Sequence, residues 1–249
     1  MSVAAVVVVH EQVPELERCL AALAPQVEEL VVVSNLGRHL PTPAGARLIP
    51  NLHPAGFAAN ANRGIAETEA PFVVLSNPDT EAAPDAVARL RDFAEGRPRL
   101  GMAGPELSHP DGRLNPSRRR FPTVSGTIVR RTPLRRVLGA TQRAHYGLDE
   151  RPGKPVEADW LLGAFLFLRR GMLDELGGFD EGYRLYGEDI DLAYRAAKAG
   201  WERWYVPEAK VVHAHAAVTD RRLLTRRTLW HWRGIARFVR KHPERLKSL

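Results

Sequence analysis

The chain has one cysteine in 249 residues. No internal disulfide can form, and a reducing compartment is the expectation. That residue, Cys19, sits in an apolar helical pattern and reads as a small buried thiol rather than a nucleophile. No stretch approaches the roughly 20 apolar residues of a membrane helix. The N-terminal MSVAAVVVVHEQ is too short to span a bilayer and carries neither a basic leader nor a cleavage site. The expected location is the cytoplasm, with peripheral contact at the inner face of the plasma membrane left open. No internal repeat or low-complexity segment is present. No nucleic-acid module is recognisable either, so nucleic acid is not an expected partner. The first apolar run is not followed by a basic, glycine-rich phosphate loop, which argues against a nucleotidyltransferase.

What is present is basic. Thirty-six Lys and Arg face 29 Asp and Glu, a net charge of +7. Such a surface suits an anionic partner: a nucleotide, a phospholipid surface or a nucleic acid. Hydrophobic residues at 44% and charged residues at 26% are ordinary for a globular domain able to bury a core.

Apolar patterning predicts alternating strands and helices through about the first hundred residues. Val3–Val9 is a continuous β-branched run, as in a parallel strand buried on both faces. A helical period follows over Val13–Leu23. Leu30–Val33, Arg47–Ile49 and Phe72–Leu75 read as strands; Gly56–Glu67 and Pro84–Glu95 read as helices. This pattern predicts an α/β fold with a mostly parallel sheet flanked by helices. After Gly101 order is expected to lapse, with 106–157 a Pro-, Gly- and Arg-rich excursion containing SRRRFPT and VRRTPLRR. Order returns with a strand over Trp160–Leu168, a helix over Arg170–Leu176 and a helix from about Asp189 to Ala199 closed by Gly200. RWYVP and AKVVHAHA read as two further strands.

In an open α/β sheet, ligands collect beyond the carboxyl ends of the strands. The residues there are His10 and Glu11, Ser34 and Asn35, and Asn77, Pro78, Asp79 and Thr80. Asn-Pro-Asp is good turn chemistry; equally, the Asp79 carboxylate is a ligand type for Mg²⁺ or Mn²⁺. His213 or His215 is able to add a nitrogen, which suits Mn²⁺ better. The segment HPAGFAANANRG (53–64) is neither a Walker A loop nor G-x-G-x-x-G. Its helix start, with Gly56 and Asn62, still favours a phosphate or ribose. In YRLYGEDIDLAYRAAKAGW (183–201) Glu188, Asp189 and Asp191 crowd together. Acids at a helix start favour the macrodipole, and one carboxylate at a cleft mouth is also a general base. Arg195, four residues after Asp191, is a helical ion-pair partner for it.

VVVVHE, NLHPAGFAANANRGI, VVLSNPDTE, the long block from Asp159 to Trp201, and YVPEAKVVHAHA occur in one order over roughly residues 3–215. Together they resemble a family 2 glycosyltransferase of the bacterial rhamnosyltransferase-like branch. The resemblance implies a GT-A fold over 1–217, with a nucleotide-sugar half at about 1–105, an acceptor half at about 155–217, and a basic helical extension over 218–249. It implies inverting transfer from a nucleoside-diphosphate sugar, dTDP- or UDP-linked with rhamnose the first guess. The implied acceptor is a glycan or lipid-linked glycan in cell-envelope polysaccharide synthesis. By that resemblance His10, Glu11, Ser34, Asn35, Gly56, Asn62, Asn77 and Asp79 lie on the donor side. Asp79 and His213 hold a divalent metal, Mg or Mn. Asp189 is the catalytic base; Trp160, Gly163, Ala164 and Glu188 line the acceptor side. The sequence departs from the family at Ser34, where an Asp usually precedes the Asn and helps read the nucleobase. A non-catalytic nucleotide-sugar-binding relative is the alternative that this departure motivates.

The tail RRLLTRRTLWHWRGIARFVRKHP has Leu224, Trp232, Ile235 and Val239 near helical spacing, with basic residues between. Two readings stay open: a helix lying on an anionic membrane, or one packed on the domain with a solvated basic face.

Overall fold

The structure, a computed structural model, describes residues 1–10, 13–121, 147–148, 150–214 and 226–247. In chain order the elements begin with β1 (Val3–Val9), α1 (Val13–Leu23), β2 (Glu29–Ser34), β3 (Arg47–Pro50), α2 (Phe57–Ile65), β4 (Phe72–Ser76), β5 (Thr80–Ala82) and α3 (Ala86–Glu95). Then come β6 (Leu100–Ser108) and the short strands β7 (Leu114–Asn115), β8 (Arg118–Arg119), β9 (Val156–Glu157) and β10 (Trp160–Leu161). Last are β11 (Phe165–Arg169), α4 (Arg170–Leu176), α5 (Glu188–Lys198), β12 (Glu202–His213) and α6 (Arg226–Lys241).

β1 lies inside the sheet, and every residue of it is buried. Because side chains alternate along a strand, it feeds two cores. Val3, Ala5, Val7 and Val9 pack with Leu16, Cys19 and Leu20 of α1 and Leu90 of α3. Ala4, Val6 and Val8 pack with Phe57, Ala58 and Ala61 of α2, and the same core takes in Leu192 and Ala196 of α5. A strand with helices on both sides needs no polar face, which explains the unbroken valine run.

The main sheet runs β3-β2-β1-β4-β11-β6-β12-β5. Four of the seven pairs along this path are parallel, β3·β2, β2·β1, β1·β4 and β6·β12, and β7 and β9 add antiparallel pairs to β6 and β12. β11 is antiparallel to both β4 and β6, and β5 to β12. The sheet is therefore mixed, with one reversed strand between two parallel blocks.

Three expectations need correction. The stretch Trp160–Leu168 is two strands rather than one. β10 leaves the main sheet to pair with β8, and the chain turns at residues 162–164 before β11. RWYVP and the AKVVH of the second piece form one strand, β12, whose register against β6 shifts between Val206 and Lys210; residues 215 and 216 lie outside the described residues. Pro207 lies in that interval, and a residue without an N–H fits where the ladder skips. Order also does not lapse at Gly101 itself, which lies inside β6 (Leu100–Ser108). A Cβ there would stand 2.5 Å from Met172 Sδ, and one on Gly104 3.0 Å from Leu161. These glycines mark close approach of neighbours, not a break.

α6 settles part of the question left by the tail. Its inner face packs on the domain through Gly234 and Phe238, while Arg237 and Lys241 pair with Asp180. Leu224 and residues 215–225 as a whole lie outside the described residues, as do 122–146 of the Arg-rich excursion. No described helix is long and apolar enough to cross a membrane.

Candidate functional site

At the ends of β1 and β2 the structure brings His10 and Asn35 together. Asn35 Nδ2 donates to His10 Nδ1 at 2.7 Å and to the Ala55 carbonyl at 3.1 Å. Asn35 Oδ1 accepts from Ala55 N and Asn51 Nδ2, both at 2.8 Å, which fixes the orientation of its amide. A neutral His10 ring then carries its proton on Nε2. Asn51 donates in turn to Asn60 Oδ1 and accepts from Arg63 at 2.6 Å. Buried amides with their hydrogen bonds made form a stiff wall. Ser34 is fully buried, and its hydroxyl donates to the Arg38 carbonyl at 2.9 Å, pinning the following loop. Glu11 lies outside the described residues.

Two donor-side candidates are drawn elsewhere. Asn62 clips α2 to the next loop: its amide donates to Phe179 O and Glu181 and accepts from Phe179 N. Gly56 caps α2 where a Cβ would stand 3.0 Å from the Arg184 carbonyl.

After β4 the backbone N–H of Asn77 donates to the Ala164 carbonyl at 2.9 Å. Asp79 follows, 5% exposed, with Oδ2 3.4 Å from Nε2 of His213. The pairing of β5 with β12, which sets His213 opposite Thr80, creates that meeting across the sequence. On the far side of the His213 ring, Nδ1 faces the Asn115 amide at 3.0 Å. A cleft of about 140 Å³ opens here, lined by Asp79, Thr80, Val212 and Ala214 with Glu15 and Arg18 of α1. It is smaller than the ~300–1,000 Å³ usual for a ligand pocket. His215 lies outside the described residues. Cys19 lies beneath this loop, its Sγ 3.4 Å from the Asn77 carbonyl. Burial pushes its thiol up to about 11, so it is no nucleophile.

The carboxylates stand at the start of α5. Tyr186 and Gly187 both have positive φ, 72° and 100°, a tight left-handed turn that launches the helix. Asp189 Oδ2 accepts from Gly163 N at 3.0 Å, and Oδ1 from Ile190 N at 2.9 Å. Burial raises the Asp189 carboxyl; the two N–H donors and the charge of Arg119 offset this only in part. Glu188 is 6% exposed, and its Oε2 has no hydrogen-bond partner among the described residues. Burial, then the neighbouring Asp189 charge, push Glu188 up to about 8. Of the two adjacent acids, Glu188 is thus the one carried above neutral pH, while the N–H donors and Arg119 around Asp189 favour its charged form. Separation of this kind assigns roles to a carboxylate pair. Trp160 is buried, its indole N–H donating to the Arg120 carbonyl while its ring faces the Arg119 guanidinium 5.2 Å away.

Two backbone contacts join the centres. Asn77 N to Ala164 O ties the Asp79 loop to residues 163–164, and Gly163 N to Asp189 ties those residues to the carboxylate. A carboxylate–imidazole pair at one strand edge thus stands across residues 163–164 from a buried carboxylate pair at the start of α5.

The family model described as glycosyl transferase family group 2 matches residues 72–244. An N-acetylglucosaminyl-diphospho-decaprenol L-rhamnosyltransferase of Mycobacterium tuberculosis is 34% identical over 244 residues, spanning 87% of this chain and 77% of that protein. The chain belongs to glycosyltransferase family group 2. Rhamnosyltransferase WbbL of Escherichia coli K12 is 35% identical over 81 residues, 32% of this chain and 30% of that protein. Among solved structures, GalNAc-T7 with UDP, GalNAc and Mn²⁺ superposes with a TM-score of 0.68 at 14% identity, over 96% of this chain and 47% of that one. The mannosyltransferase PcManGT of Pyrobaculum calidifontis, with GDP-Man and Mn²⁺, gives 0.58 at 17%, over 88% of this chain and 58% of that one. At such identities these two structures establish the GT-A fold alone. This family 2 glycosyltransferase also carries site residues that sequence reading missed. Asn115 comes from the supposed excursion, Asn51 precedes the segment read as a helix start, and Asn60 lies within the expected helix Gly56–Glu67. Asn60 and Asn51 are buried amides, and the signal for both was several Asn in one apolar stretch.

Proposed function

We propose that this glycosyltransferase moves rhamnose, with inversion, from a dTDP- or UDP-linked donor to a lipid-diphosphate-linked N-acetylglucosamine in cell-envelope polysaccharide synthesis. The sugar and acceptor come from the names of its relatives. The observation that carries the chemistry is the contact path Asp79 loop–Ala164–Gly163–Asp189, which supports a donor and an acceptor meeting across residues 163–164.

Asp189 is the base in this reading. Its carboxylate takes the proton of the acceptor hydroxyl as the new bond forms, a contribution of roughly 10²–10⁴-fold in general. Gly163 N and Ile190 N hold its two oxygens, so it is oriented before the acceptor arrives. Protonated Glu188 adds no second negative charge beside it. A single displacement needs one base on the acceptor and one means of stabilising the leaving diphosphate.

Asp79 and His213 fit a divalent cation. One hard carboxylate and one imidazole nitrogen already converge, and the small cleft beside them accommodates an ion with its waters. Ligation through Nε2 requires the His213 proton on Nδ1, with Asn115 turned so that Oδ1 accepts it. When bound, Mg²⁺ or Mn²⁺ would neutralise charge developing on the diphosphate. His10 and Asn35 then offer the wall for the nucleoside.

Contact with the inner face of the plasma membrane belongs to the same reading. With one face of α6 packed on the domain, Leu229 (51% exposed), Trp232 (38%), Arg233 and Arg240 remain on the outside. An aromatic and aliphatic pair flanked by arginines suits an anionic bilayer.

The test is transfer by the purified chain from dTDP-rhamnose and UDP-sugars to N-acetylglucosaminyl-diphospho-polyprenol, with and without Mn²⁺. The reading expects product from one donor only, abolished by Asp189→Asn with nucleotide binding retained. Binding of nucleotide sugar without transfer to any acceptor would instead support the non-catalytic alternative.

A further inference from the structure

Asp191 is an acid whose chemistry the mechanism leaves unused, and it is the most completely buried of the three at the start of α5. A helix start needs only an exposed acid. This one is enclosed by Arg195 Nε at 2.7 Å, Lys241 Nζ at 2.9 Å, His242 Nε2 at 2.9 Å and Tyr183 OH at 3.3 Å. Burying a carboxylate is costly unless its oxygens are fully satisfied. Arg195 alone would be the local helical partner; Lys241 and His242 come from the end of α6. Lys241 also reaches Asp180 at 2.7 Å, where Arg237 joins it. Four contacts thus bind α6 to the two ends of one loop, residues 180–191.

Between those ends lies the left-handed Tyr186–Gly187 turn. A non-glycine residue at positive φ persists only where its surroundings hold it. Here α6 does the holding. Gly234 lies so close that a Cβ on it would stand 2.5 Å from the Tyr186 carbonyl oxygen. The His231 ring meets the Tyr186 ring edge-on at 5.7 Å. Asp189 projects two residues after Gly187, so any shift of the turn is delivered to the Asp189–Gly163 contact.

We propose that Asp191 is a positioning residue: it clamps α6 across the Tyr186–Gly187 turn and thereby fixes Asp189 against Gly163. The proposal rests on the reading of Asp189 as the base. It assigns the basic C-terminal helix a role in the chemical step, separate from any membrane contact of its outer face.

The test uses two α6 variants of the full chain, Gly234→Ala and His242→Gln, neither of which touches Asp189. Thermal midpoint, nucleotide affinity, and kcat and KM for the donor are measured for each. The expected result is a folded protein with unchanged nucleotide affinity and donor KM, and kcat lowered by about 10–100-fold, the cost of a misplacement near 1 Å. Combined with Asp189→Asn, Gly234→Ala should cost nothing further, because its effect passes through that side chain. Folded variants that keep wild-type kcat, or that lose kcat and nucleotide affinity together, overturn the proposal. Full transfer by Asp189→Asn alone overturns the base reading instead.

Discussion

Glu188→Gln should make the protein more stable, and increasingly so as pH rises. The buried carboxyl is lifted from its ordinary 4.5 to about 8 by burial and by Asp189. Between those values the folded state keeps the proton that the unfolded state has released. Folded protein then binds more protons than unfolded, so stability falls with rising pH across that window. At pH 7 the span is about 2.5 units, and at 1.36 kcal/mol per unit the penalty is about 3 kcal/mol. Glutamine has a similar shape and no ionisation, so it escapes the penalty. Urea unfolding of both proteins at pH 4.5, 6, 7 and 8 measures it. The difference should be near zero at pH 4.5 and reach about 3 kcal/mol at pH 7. The variant should also keep transfer at neutral pH, since glutamine mimics the protonated acid. A stability difference that stays flat from pH 4.5 to 8 would refute the assignment of Glu188 as the protonated member of the pair.

Asn115→Ala removes the partner of His213 Nδ1 and should weaken the Mn²⁺-dependent part of nucleotide binding by about 10–100-fold, read by calorimetry with and without metal. Asp79→Ala should abolish that metal dependence altogether in the same titration. Gly64→Ala would put a Cβ 2.3 Å from Val6 Cγ1 between α2 and β1, and should cost about 1–3 kcal/mol by urea unfolding.

The first hundred residues were legible because their elements declare themselves locally. Val3–Val9 and Val13–Leu23 fall where patterning put them. β6 was missed because Gly101, Gly104 and Pro105 interrupt its local apolar pattern, whereas the glycines answer to Met172 and Leu161, side chains far along the chain. β12 was split because a proline in a strand normally ends it, and only the partner strand shows that the register steps over it. Asp189 was set apart from Glu188 by the family resemblance alone; the Gly163 N–H and the burial that distinguish the two physically leave no local signal. Asp191–Arg195 followed from helical spacing. Lys241 and His242 did not, because no local pattern links a helix start to a tail fifty residues away. The meeting of Asp79 with His213 required the β5·β12 pairing.

The reversed direction of β11 has a mechanical consequence. Parallel strands present their exits at the ligand edge; an antiparallel one presents its entrance there. Residues 163–164 are that entrance, and the Asn77–Ala164 contact is simply the next rung of the ladder between β4 and β11, whose last pair is Ser76 with Phe165. The spacing between the Asp79 loop and Asp189, where the proposed reading puts leaving group and nucleophile, is thus gauged by main chain, independent of side-chain identity at 77 or 164. A lineage changing its sugar or its acceptor would leave that gauge intact and remodel only what surrounds it.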